Sequence, residues 1–372
     1  LFLRYSEKDR ILLILPLPPP WGGQSVESQL FVDYLKTRKN ALYIINTAKQ
    51  NLNNGKLTFQ RLFSILFIFY KTFIYRNQTS TVYISLAQSF LGHLRDLVLL
   101  VLCRKKNITC HLHGSGIREH LFVKHPFIFS LTRSIFASMK VKVIVLSKSL
   151  RRQFAGVLPE EYIFDVLNFP ETGACRERAE VEKKYLEPGR MKILFLSNLL
   201  REKGLLKLLS AVNKLNGNGV SPVVLLDIVG MPENRHIEKI VGEYTERKNG
   251  IQYFGGIGGK ERFDFFLQAH VFCLPTWFKY EGQPVSILEA YANGCAVATT
   301  DHGGICDIFE DGINGYLLEK KSVASIRRMI EKARSDLSNG RMKKIGLDNH
   351  SAAAKNHSQD LLLKRLENVL MK

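Results

Sequence analysis

The chain has 372 residues, of which 45% are hydrophobic and 23% are charged, a composition typical of a folded globular protein and not of a disordered or fibrous one. This length exceeds what one hydrophobic core usually organises, so we expect two domains of roughly 170 residues each. No stretch reaches about 18 consecutive apolar residues, which argues against a membrane-spanning helix.

The formal net charge of +19 is concentrated in the amino-terminal half. Residues 1–170 hold 23 Lys and Arg against 9 Asp and Glu, a net of +14, whereas the remaining residues hold 30 against 25, a net of +5. Such a surface attracts anionic lipid headgroups, phosphate-bearing acceptors or nucleic acid. Because the sequence has no zinc-finger, RNA-recognition or helix-turn-helix signature, we expect no nucleic acid as partner.

The six cysteines are scattered, several of them inside apolar runs, and they form no CxxC pair. This pattern predicts reduced, buried thiols and a cytoplasmic location, not disulfides or a zinc site. The first ten residues are polar from the sixth onward and do not resemble a secretion signal.

Apolar strand-like runs alternate with helix-length segments along the chain, which is the pattern of parallel βαβ units. Strands of a first sheet are predicted at residues 11–17, 41–45, 81–85, 108–112 and 141–146. Strands of a second sheet are predicted at residues 192–196, 223–229, 252–254, 271–274, 296–299 and 315–318. The sequence therefore predicts two doubly wound α/β domains.

The predicted domains are residues 1–170 and 191–357. Residues 171–190 are charged, interrupted by Pro-Gly and poor in candidates for burial, which predicts a linker. Residues 358–372 carry apolar side chains at helical spacing and are predicted to close the fold as a helix. Residues 61–76, RLFSILFIFYKTFIYR, suit either an interfacial helix or a core helix of an α/β layer, and we favour the core helix.

Ligands of parallel sheets bind beyond the carboxyl ends of the strands, so the loops at those ends are the candidate site. After the first strand, Gly22 and Gly23 would let amides at a helix start approach an anion, although a plain turn explains two glycines after prolines equally well. After the fourth strand comes His113, beside glycines. His111 lies on the same face of the strand and is the competing histidine.

The second domain opens with KILFLSNLLREKG, which places Arg201 and Lys203 between a strand and a helix that begins near residue 204. Cations at this place suit a diphosphate, and they would equally suit a solvated turn.

The most specific segment is EGQPVSILE, from Glu281 to Glu289. Glu281 and Gly282 lie in a predicted loop, and Pro284 fits the first turn of a helix that reaches about residue 293. Because Glu281 precedes the helix and Glu289 lies inside it, we expect separate roles for the two carboxylates. A glycosidase pair or a metal site would also use carboxylates, but the glycines and Lys203 favour phosphate, and no further Asp/His cluster completes a metal shell.

With this motif the chain resembles the family 4 retaining glycosyltransferases of bacterial polysaccharide and lipopolysaccharide synthesis, over nearly its entire length. The E-x7-E motif and the following GCAVATTDHGGICDIFEDGINGYLL carry the resemblance most strongly, while SNLLREKG, His113-Gly114 and PPPWGG match more weakly. The resemblance implies the GT-B fold, with two Rossmann-like domains facing a central cleft. It assigns the acceptor to the first domain and a nucleotide-sugar donor to the second.

The resemblance also implies roles for individual residues. Glu281 would contact the donor sugar, Glu289 the ribose and Lys203 the diphosphate, with His113 near the reacting centre. The implied catalytic set is therefore Glu281, His113 and Lys203. The implied donor-binding set is Gly22, Gly23, Asn198, Arg201, Lys203, Gly282, Gln283, Pro284, Val285 and Glu289.

One position departs from the family pattern. Many members have Gly-Arg-Leu where this chain has Ser197-Asn198-Leu199, so the arginine of the usual diphosphate-binding pair is missing, and Arg201 or Asn198 would have to take its place.

The resemblance implies transfer of a hexosyl group from a nucleotide-diphosphate sugar to a saccharide or lipid-linked saccharide by front-face displacement, without a metal. We expect this to occur in the cytoplasm or on the inner face of the cytoplasmic membrane, with the basic residues 1–170 against anionic lipid. Two alternatives stay open: a sugar-nucleotide epimerase of the same fold, and a non-catalytic protein that binds sugar nucleotides or anionic glycans.

Overall fold

The computed structural model describes residues 10–19, 22–38, 41–48, 59–171, 173–186, 189–217, 221–356 and 358–372. The chain divides into two compact units, residues 1–167 with 360–372 and residues 168–359. The first nine residues, and Pro20 and Trp21 of the early proline-glycine loop, lie outside the described residues.

The first unit is built on a six-stranded sheet in the order β2-β1-β3-β4-β5-β6, with parallel pairing throughout. Its strands are β1 (Arg10–Leu15), β2 (Ala41–Asn46), β3 (Thr81–Ser85), β4 (Asn107–Leu112), β5 (Lys142–Val145) and β6 (Ile163–Asp165). Its first four helices are α1 (Gly23–Thr37), α2 (Phe59–Arg76), α3 (Phe90–Leu102) and α4 (Pro126–Met139). The sequence predicts all of these strands except β6, whose three residues are too few to form a recognisable apolar run.

The strands of this sheet are continuous apolar runs because helices cover them. Ile11 to Leu15 of β1 are all buried, and so is every residue of β3 and β5. This core supports the loops at the carboxyl ends of β1, β3 and β4.

Helix α2 is the element whose environment the sequence predicted wrongly. Of its described side chains, Ile68 and Thr72 are buried, but most of its aromatic and aliphatic groups face solvent. The apolar side chains that are at least 51% exposed are Phe59, Leu62, Phe63, Leu66, Phe67, Tyr70 and Phe73. The favoured core-helix interpretation is therefore wrong, because only a narrow stripe of the helix contacts the protein.

The second unit also contains a six-stranded parallel sheet, in the order β12-β11-β10-β7-β8-β9. Its strands are β7 (Lys192–Leu196), β8 (Leu225–Val229), β9 (Ile251–Tyr253), β10 (Val271–Leu274), β11 (Ala296–Thr300) and β12 (Gly315–Leu318). Its helices are α5 (Arg178–Lys183), α6 (Leu205–Asn216), α7 (Arg235–Thr245), α8 (Arg262–Gln268), α9 (Val285–Ala292), α10 (Val323–Ser338) and α11 (Arg341–Asn356). The prediction of two doubly wound α/β units is confirmed.

The segment that composition assigns to a linker, residues 171–190, differs from that expectation where it is described. Val181 is buried, Ala174 and Tyr185 belong to the core of the second unit, and the Tyr185 hydroxyl donates to the carbonyl of Gly294 at 2.6 Å. Most charged residues of this segment lie on its solvent side, but the ammonium of Lys184 enters the core and donates to the carbonyls of Ala269 and Asn293 at 2.8 and 2.7 Å.

The cysteines follow the prediction in part. Cys103, Cys110, Cys273 and Cys295 are buried, whereas Cys175 and Cys306 are exposed. All six are free thiols.

The last helix, α12 (Gln359–Met371), belongs to the first unit from residue 360 onward. Lys142 Nζ donates to the carbonyl of Val369 at 2.9 Å, and Tyr34 Oη donates to Glu367 Oε2 at 2.9 Å. Burial, together with the nearby charge of Lys372, lowers the pKa of Lys142 to about 8. The helix buries Leu362, Leu363, Leu366, Val369 and Leu370. Helix α12 therefore completes the hydrophobic core of the first unit.

We expect Leu366→Ala to lower the free energy of unfolding by about 2–5 kcal/mol, because it removes a fully buried side chain and leaves a cavity. The matched control is Leu361→Ala on the same helix, since Leu361 is 42% exposed. Urea unfolding followed by circular dichroism measures both variants, and equal effects would contradict the packing described for α12.

Candidate functional site

The strand order of the second sheet reverses between β7 and β10. From that point β8 and β9 extend to one side, and β11 and β12 extend to the other. Doubly wound sheets bind ligands beyond the carboxyl ends of the strands at such a switch point. The loop after β7 contains Asn198, Arg201 and Lys203, and the loop after β10 contains Glu281. The two loops that flank the switch point thus contain four of the predicted site residues, namely Asn198, Arg201, Lys203 and Glu281.

Lys203 and Glu281 are in direct contact across these loops. The ammonium Nζ lies 2.9 Å from Oε1 and 2.7 Å from Oε2 of the carboxylate, and Thr276 Oγ1 donates to Oε2 at 2.9 Å. The side chains are 13% and 7% exposed. A lysine ammonium has three N–H donors, so with two directed at Glu281 one remains for a further acceptor.

A glycine allows the two loops to approach this closely. Gly204 has φ +88°, and a Cβ there would lie 2.3 Å from the carbonyl oxygen of Pro275. The backbone N–H of Trp277 also donates to the carbonyl of Glu202 at 2.8 Å. Any side chain at position 204 would separate the loop that carries Lys203 from the loop that carries Glu281.

A third loop, after β11, supports Glu281 from the other side. Gly303 has φ +61°, and a Cβ there would lie 2.2 Å from the carbonyl oxygen of Glu281. The N–H of Gly304 donates to the carbonyl of Gly282 at 2.8 Å, and His302 Nε2 lies 2.8 Å from the carbonyl of Phe278. The Asp-His-Gly-Gly sequence that follows β11 is therefore a structural support for the Glu281 loop.

Helix α9 begins directly after the loop that contains Glu281. Pro284 is the residue before Val285, the first residue of the helix. In its first turn the N–H of Ile287 donates to the carbonyl of Pro284 at 3.1 Å, whereas the N–H groups of Val285 and Ser286 have no acceptor within the helix and can bind an anion. Gln283 is buried, and its Oε1 accepts from the N–H of Asn168 at 2.7 Å. Gln283 Nε2 has no hydrogen-bond partner among the described residues, which makes it a buried donor beside the helix terminus.

Glu289, the second carboxylate of the motif, is held by a cation of its own. Its Oε1 accepts from Arg262 Nη2 at 2.6 Å, and the same Nη2 donates to Glu171 Oε2 at 2.7 Å. Burial raises the pKa of Glu289, and the charge of Arg262 opposes this shift. Sequence reasoning missed Arg262 and Glu171, because one belongs to no motif and the other lies in the predicted linker.

Asn198 and Arg201, the two candidates for the missing diphosphate arginine, are both exposed. Neither side chain has an ion pair or a side-chain hydrogen bond with another described residue. They differ in this respect from Lys203, which is fixed by Glu281.

In the first unit the predicted glycine loop leads into α1. Gly22 precedes the helix with an extended φ of −161°, and its N–H donates to Ser25 Oγ at 3.0 Å. A Cβ at Gly22 would meet no atom within 4 Å. Gly23 is the first residue of the helix. Packing among the described residues therefore does not require glycine at position 22.

His113 is held from both sides within the first unit. Its Nδ1 lies 3.3 Å from Ser85 Oγ and 3.5 Å from Gln24 Nε2, and its Nε2 lies 3.2 Å from Glu27 Oε2. Its side chain is 8% exposed. The sequence places His113 at the mouth of a loop, and the structure adds that its ring orientation is set by its neighbours.

Glu27, His111 and His113 form a cluster in the first unit that the sequence did not reveal. One possible ligand atom from each lies within 4.8 Å of the others. The two imidazole rings, however, lie 3.9 Å apart between centroids at an interplanar angle of 33°. A metal ion bound by imidazole lies in the plane of the ring, so two rings that nearly face each other do not converge on one ion.

The cluster instead continues as a hydrogen-bonded network. Tyr83 Oη lies 2.6 Å from His111 Nδ1. Burial, and then the charge of His113, lower the pKa of His111 well below its usual value, which keeps His111 neutral. This arrangement suits positioning of His113 better than metal binding.

Comparisons with known proteins found similar sequences and similar folds. Residues 177–346 match the model of the family described as glycosyl transferases group 1. An uncharacterized glycosyltransferase of Methanocaldococcus jannaschii is 23% identical over 64% of this chain and 56% of its own length. Alpha-maltose-1-phosphate synthase of Mycobacterium tuberculosis is 26% identical over 47% of this chain and 48% of its own length. The chain thus spans about half the length of these curated relatives.

Solved structures resemble the whole chain at low identity. A glycosyltransferase from Rickettsia africae has a TM-score of 0.71 and 19% identity, covering 97% of each chain. Anabaena HepE in complex with UDP has a TM-score of 0.71 and 14% identity, covering 97% of this chain and 99% of its own. WaaG, a glycosyltransferase involved in lipopolysaccharide biosynthesis, has a TM-score of 0.68 and 13% identity over the same shares of the two chains.

The match to the group 1 glycosyl transferase model covers residues 177–346, which is less than half of the chain. The matched residues run from just before α5 into α11 and include Lys203, Arg262, Glu281 and Glu289. The GT-B fold class is confirmed, because both units are Rossmann-like parallel sheets and the structural neighbours are GT-B glycosyltransferases. Among the described residues, no helix is both long and apolar enough to cross a bilayer.

We expect Gly303→Ala to lower the melting temperature, because the added Cβ would displace the backbone at Glu281. Gly258→Ala is the matched control, since a Cβ at that glycine meets no atom of the described residues within 4 Å. Thermal unfolding followed by circular dichroism measures both variants. A Gly303→Ala variant as stable as Gly258→Ala would contradict the support of Glu281 by the loop after β11.

Proposed function

We propose that this protein is a retaining glycosyltransferase that moves a hexosyl group from a nucleotide-diphosphate sugar to a saccharide or lipid-linked saccharide acceptor. The observation that carries the proposal is the Lys203–Glu281 pair at the switch point of the second sheet, beside the free amides of α9. The E-x7-E spacing of Glu281 and Glu289, and the family match over these residues, support the same assignment. The name of WaaG favours a role in lipopolysaccharide or related polysaccharide synthesis.

The donor would bind with its diphosphate at the switch point. Lys203, the amides at Val285 and the unpartnered Gln283 Nε2 are the donors that an oxyanion needs, and Arg201 is exposed in the same loop as Lys203. Glu281 would accept hydrogen bonds from sugar hydroxyls, and Glu289 from the ribose. The UDP complex of the structurally similar HepE supports a nucleoside diphosphate as the leaving group.

In the reaction, the bond between the anomeric carbon and the diphosphate oxygen breaks while the acceptor oxygen forms its bond on the same face of the sugar. Negative charge grows on the diphosphate, and Lys203 and the helix amides stabilise it where it develops. The departing diphosphate takes the acceptor proton. No carboxylate nucleophile is required, so Glu281 is free to stay paired with Lys203.

Within the first unit, we assign the acceptor to the loops at the carboxyl ends of its strands. His113 is the oriented side chain at the end of β4. We assign the early glycines to the donor diphosphate and His113 to the reacting centre, as the family resemblance implies.

We propose further that transfer needs no metal ion. Lysine, arginine and helix amides can carry the charge of the diphosphate, and the imidazoles of the Glu27 cluster do not converge on an ion. Activity that persists in EDTA is the expected result.

Lys203→Met should lower turnover by roughly 100-fold or more, the scale seen when one stabilising donor is removed from a developing oxyanion. The measurement is release of nucleoside diphosphate from a panel of UDP- and GDP-hexoses, with and without a saccharide acceptor. Lys214→Met is the control, because Lys214 is exposed on the next helix, α6.

Removing Lys203 alone leaves the buried Glu281 charge unpaired, which lowers stability as well. The double variant Lys203→Met with Glu281→Gln removes both charges, so it should recover stability while remaining inactive. Near-normal turnover in a folded Lys203→Met variant would refute the assignment. An epimerised nucleotide sugar without released diphosphate would favour the epimerase alternative, and binding without any turnover would favour the binding protein.

We propose that the first unit attaches peripherally to the anionic inner face of the cytoplasmic membrane through α2. Residues 59–107 contain seven Lys and Arg and a single acidic residue, Asp96, which is buried and paired with Arg95. On α2, Lys71 and Arg76 lie 4.5 and 4.2 Å from the ring centroids of Phe67 and Phe73. Exposed aromatics beside cations, with exposed anions lacking, are typical of a helix that lies in a lipid interface.

A triple variant, Phe63→Ser, Phe67→Ser and Tyr70→Ser, should abolish sedimentation with phosphatidylglycerol vesicles, because it removes three exposed apolar anchors. The matched control changes three exposed apolar residues of the second unit to serine, namely Leu186, Met231 and Phe254. Binding should also weaken as salt rises. If the unchanged protein stays in the supernatant at low salt, the membrane proposal fails.

A further inference from the structure

Arg262 lies at the start of α8 and connects three parts of the second unit. Its Nη2 donates to Glu289 at 2.6 Å and to Glu171 at 2.7 Å, and its Nη1 donates to the carbonyl of Gly259 at 2.6 Å. The side chain is 13% exposed, and its guanidinium lies 4.4 Å from the ring centroid of Phe263. The arginine is thus fixed by several contacts and is not a solvated surface charge.

These contacts determine which carboxylate oxygen of Glu289 can accept a further hydrogen bond. Both N–H groups of Arg262 Nη2 are used, one on each carboxylate. The Oε1 atom of Glu289 is therefore occupied, while Oε2 has no hydrogen bond with another described residue. A carboxylate held by one oxygen presents the other in a defined direction, and an ionised oxygen is the strong acceptor for a hydroxyl group.

We propose that Arg262 is a positioning residue for the nucleotide, which fixes Glu289 in the orientation and charge state that accept the ribose hydroxyls. The proposal rests on the proposed function, in which Glu289 binds the ribose. Arg262 does not itself need to contact the nucleotide. Through Gly259 it also anchors the end of the glycine-rich loop that follows β9, at the same edge of the sheet.

The electrostatics of the pocket explain why a cation is needed. Glu289 is fully buried inside a helix, and burial raises its pKa. The charged groups that act on it are Arg262, from α8, which lowers its pKa, and Glu171, from the segment before α5, which raises it. Without Arg262 the carboxyl group would take up a proton at a higher pH, and a protonated carboxyl is a weaker acceptor for the ribose.

The test compares the affinity for UDP with that for 2′-deoxy-UDP, and for GDP with that for 2′-deoxy-GDP, by calorimetry between pH 6 and 8.5. The unchanged protein should prefer the ribonucleotide by about tenfold, the value of one charge-assisted hydrogen bond, at every pH. In Arg262→Met the preference should be smaller than in the unchanged protein and should decrease further as the pH is lowered. Arg262→Lys keeps the charge and should retain the preference to within about threefold.

Three further variants separate the possible outcomes. Arg262→Gln keeps a hydrogen-bonding group without charge, so it should show the same pH dependence as Arg262→Met and replaces it if the latter does not fold. Arg178→Met, which removes an exposed arginine paired with Glu182, should behave as the unchanged protein. Glu289→Gln should show little ribose preference at any pH.

Two results would overturn the proposal in distinguishable ways. If the unchanged protein has no ribose preference, or Glu289→Gln keeps it, Glu289 does not bind the ribose and the donor assignment fails as well. If Glu289→Gln loses the preference but Arg262→Met and Arg262→Gln keep it at pH 6, only the positioning role of Arg262 fails. An equal loss of affinity for both nucleotides, without pH dependence, would assign Arg262 a purely structural role.

Discussion

The ion pair between Lys203 and Glu281 is the interaction on which the geometry of the second unit's site depends. Two buried charges are costly unless they are paired, and removing one partner costs far more than the pair contributes. The pair therefore requires the loops after β7 and β10 to stay within contact distance. Gly204 and Gly303 make this possible, because a side chain at either position would collide with the backbone of Pro275 or Glu281. The close approach of the backbone that the ion pair needs is therefore the reason for glycine at positions 204 and 303.

The two units use the same sheet architecture for different local chemistry. In the second unit, each carboxylate of the E-x7-E motif is paired with its own cation: Glu281 with Lys203, and Glu289 with Arg262. In the first unit, the end of β4 carries a network of Glu27, His111, His113 and Tyr83 in which burial keeps His111 neutral. The excess positive charge of the first unit lies elsewhere, and Lys71 and Arg76 of α2 are part of it.

Local sequence patterns predicted the strands and the loops of the site, because buried parallel strands are continuous apolar runs and their carboxyl ends are where ligands bind. Glu281 and Glu289 were recognisable from one short segment. Arg262, Glu171 and Glu27 were not, because each acts through a partner far away in the sequence. The environment of α2 was predicted wrongly for a related reason: apolar composition shows that a helix can be buried, but the neighbouring elements decide whether it is.

The charge balance of the second unit also bears on the missing arginine at Asn198. Lys203 and Arg262 contribute two positive charges, while Glu281, Glu289 and Glu171 contribute three negative ones when all are ionised. The fixed ion pairs therefore do not attract a diphosphate by net charge. Under the proposed function, attraction would come from groups that the pairs leave unused: the third ammonium hydrogen of Lys203, the first amides of α9 and Gln283 Nε2. On that proposal Arg201, exposed in the same loop, would supply the cation that position 198 lacks.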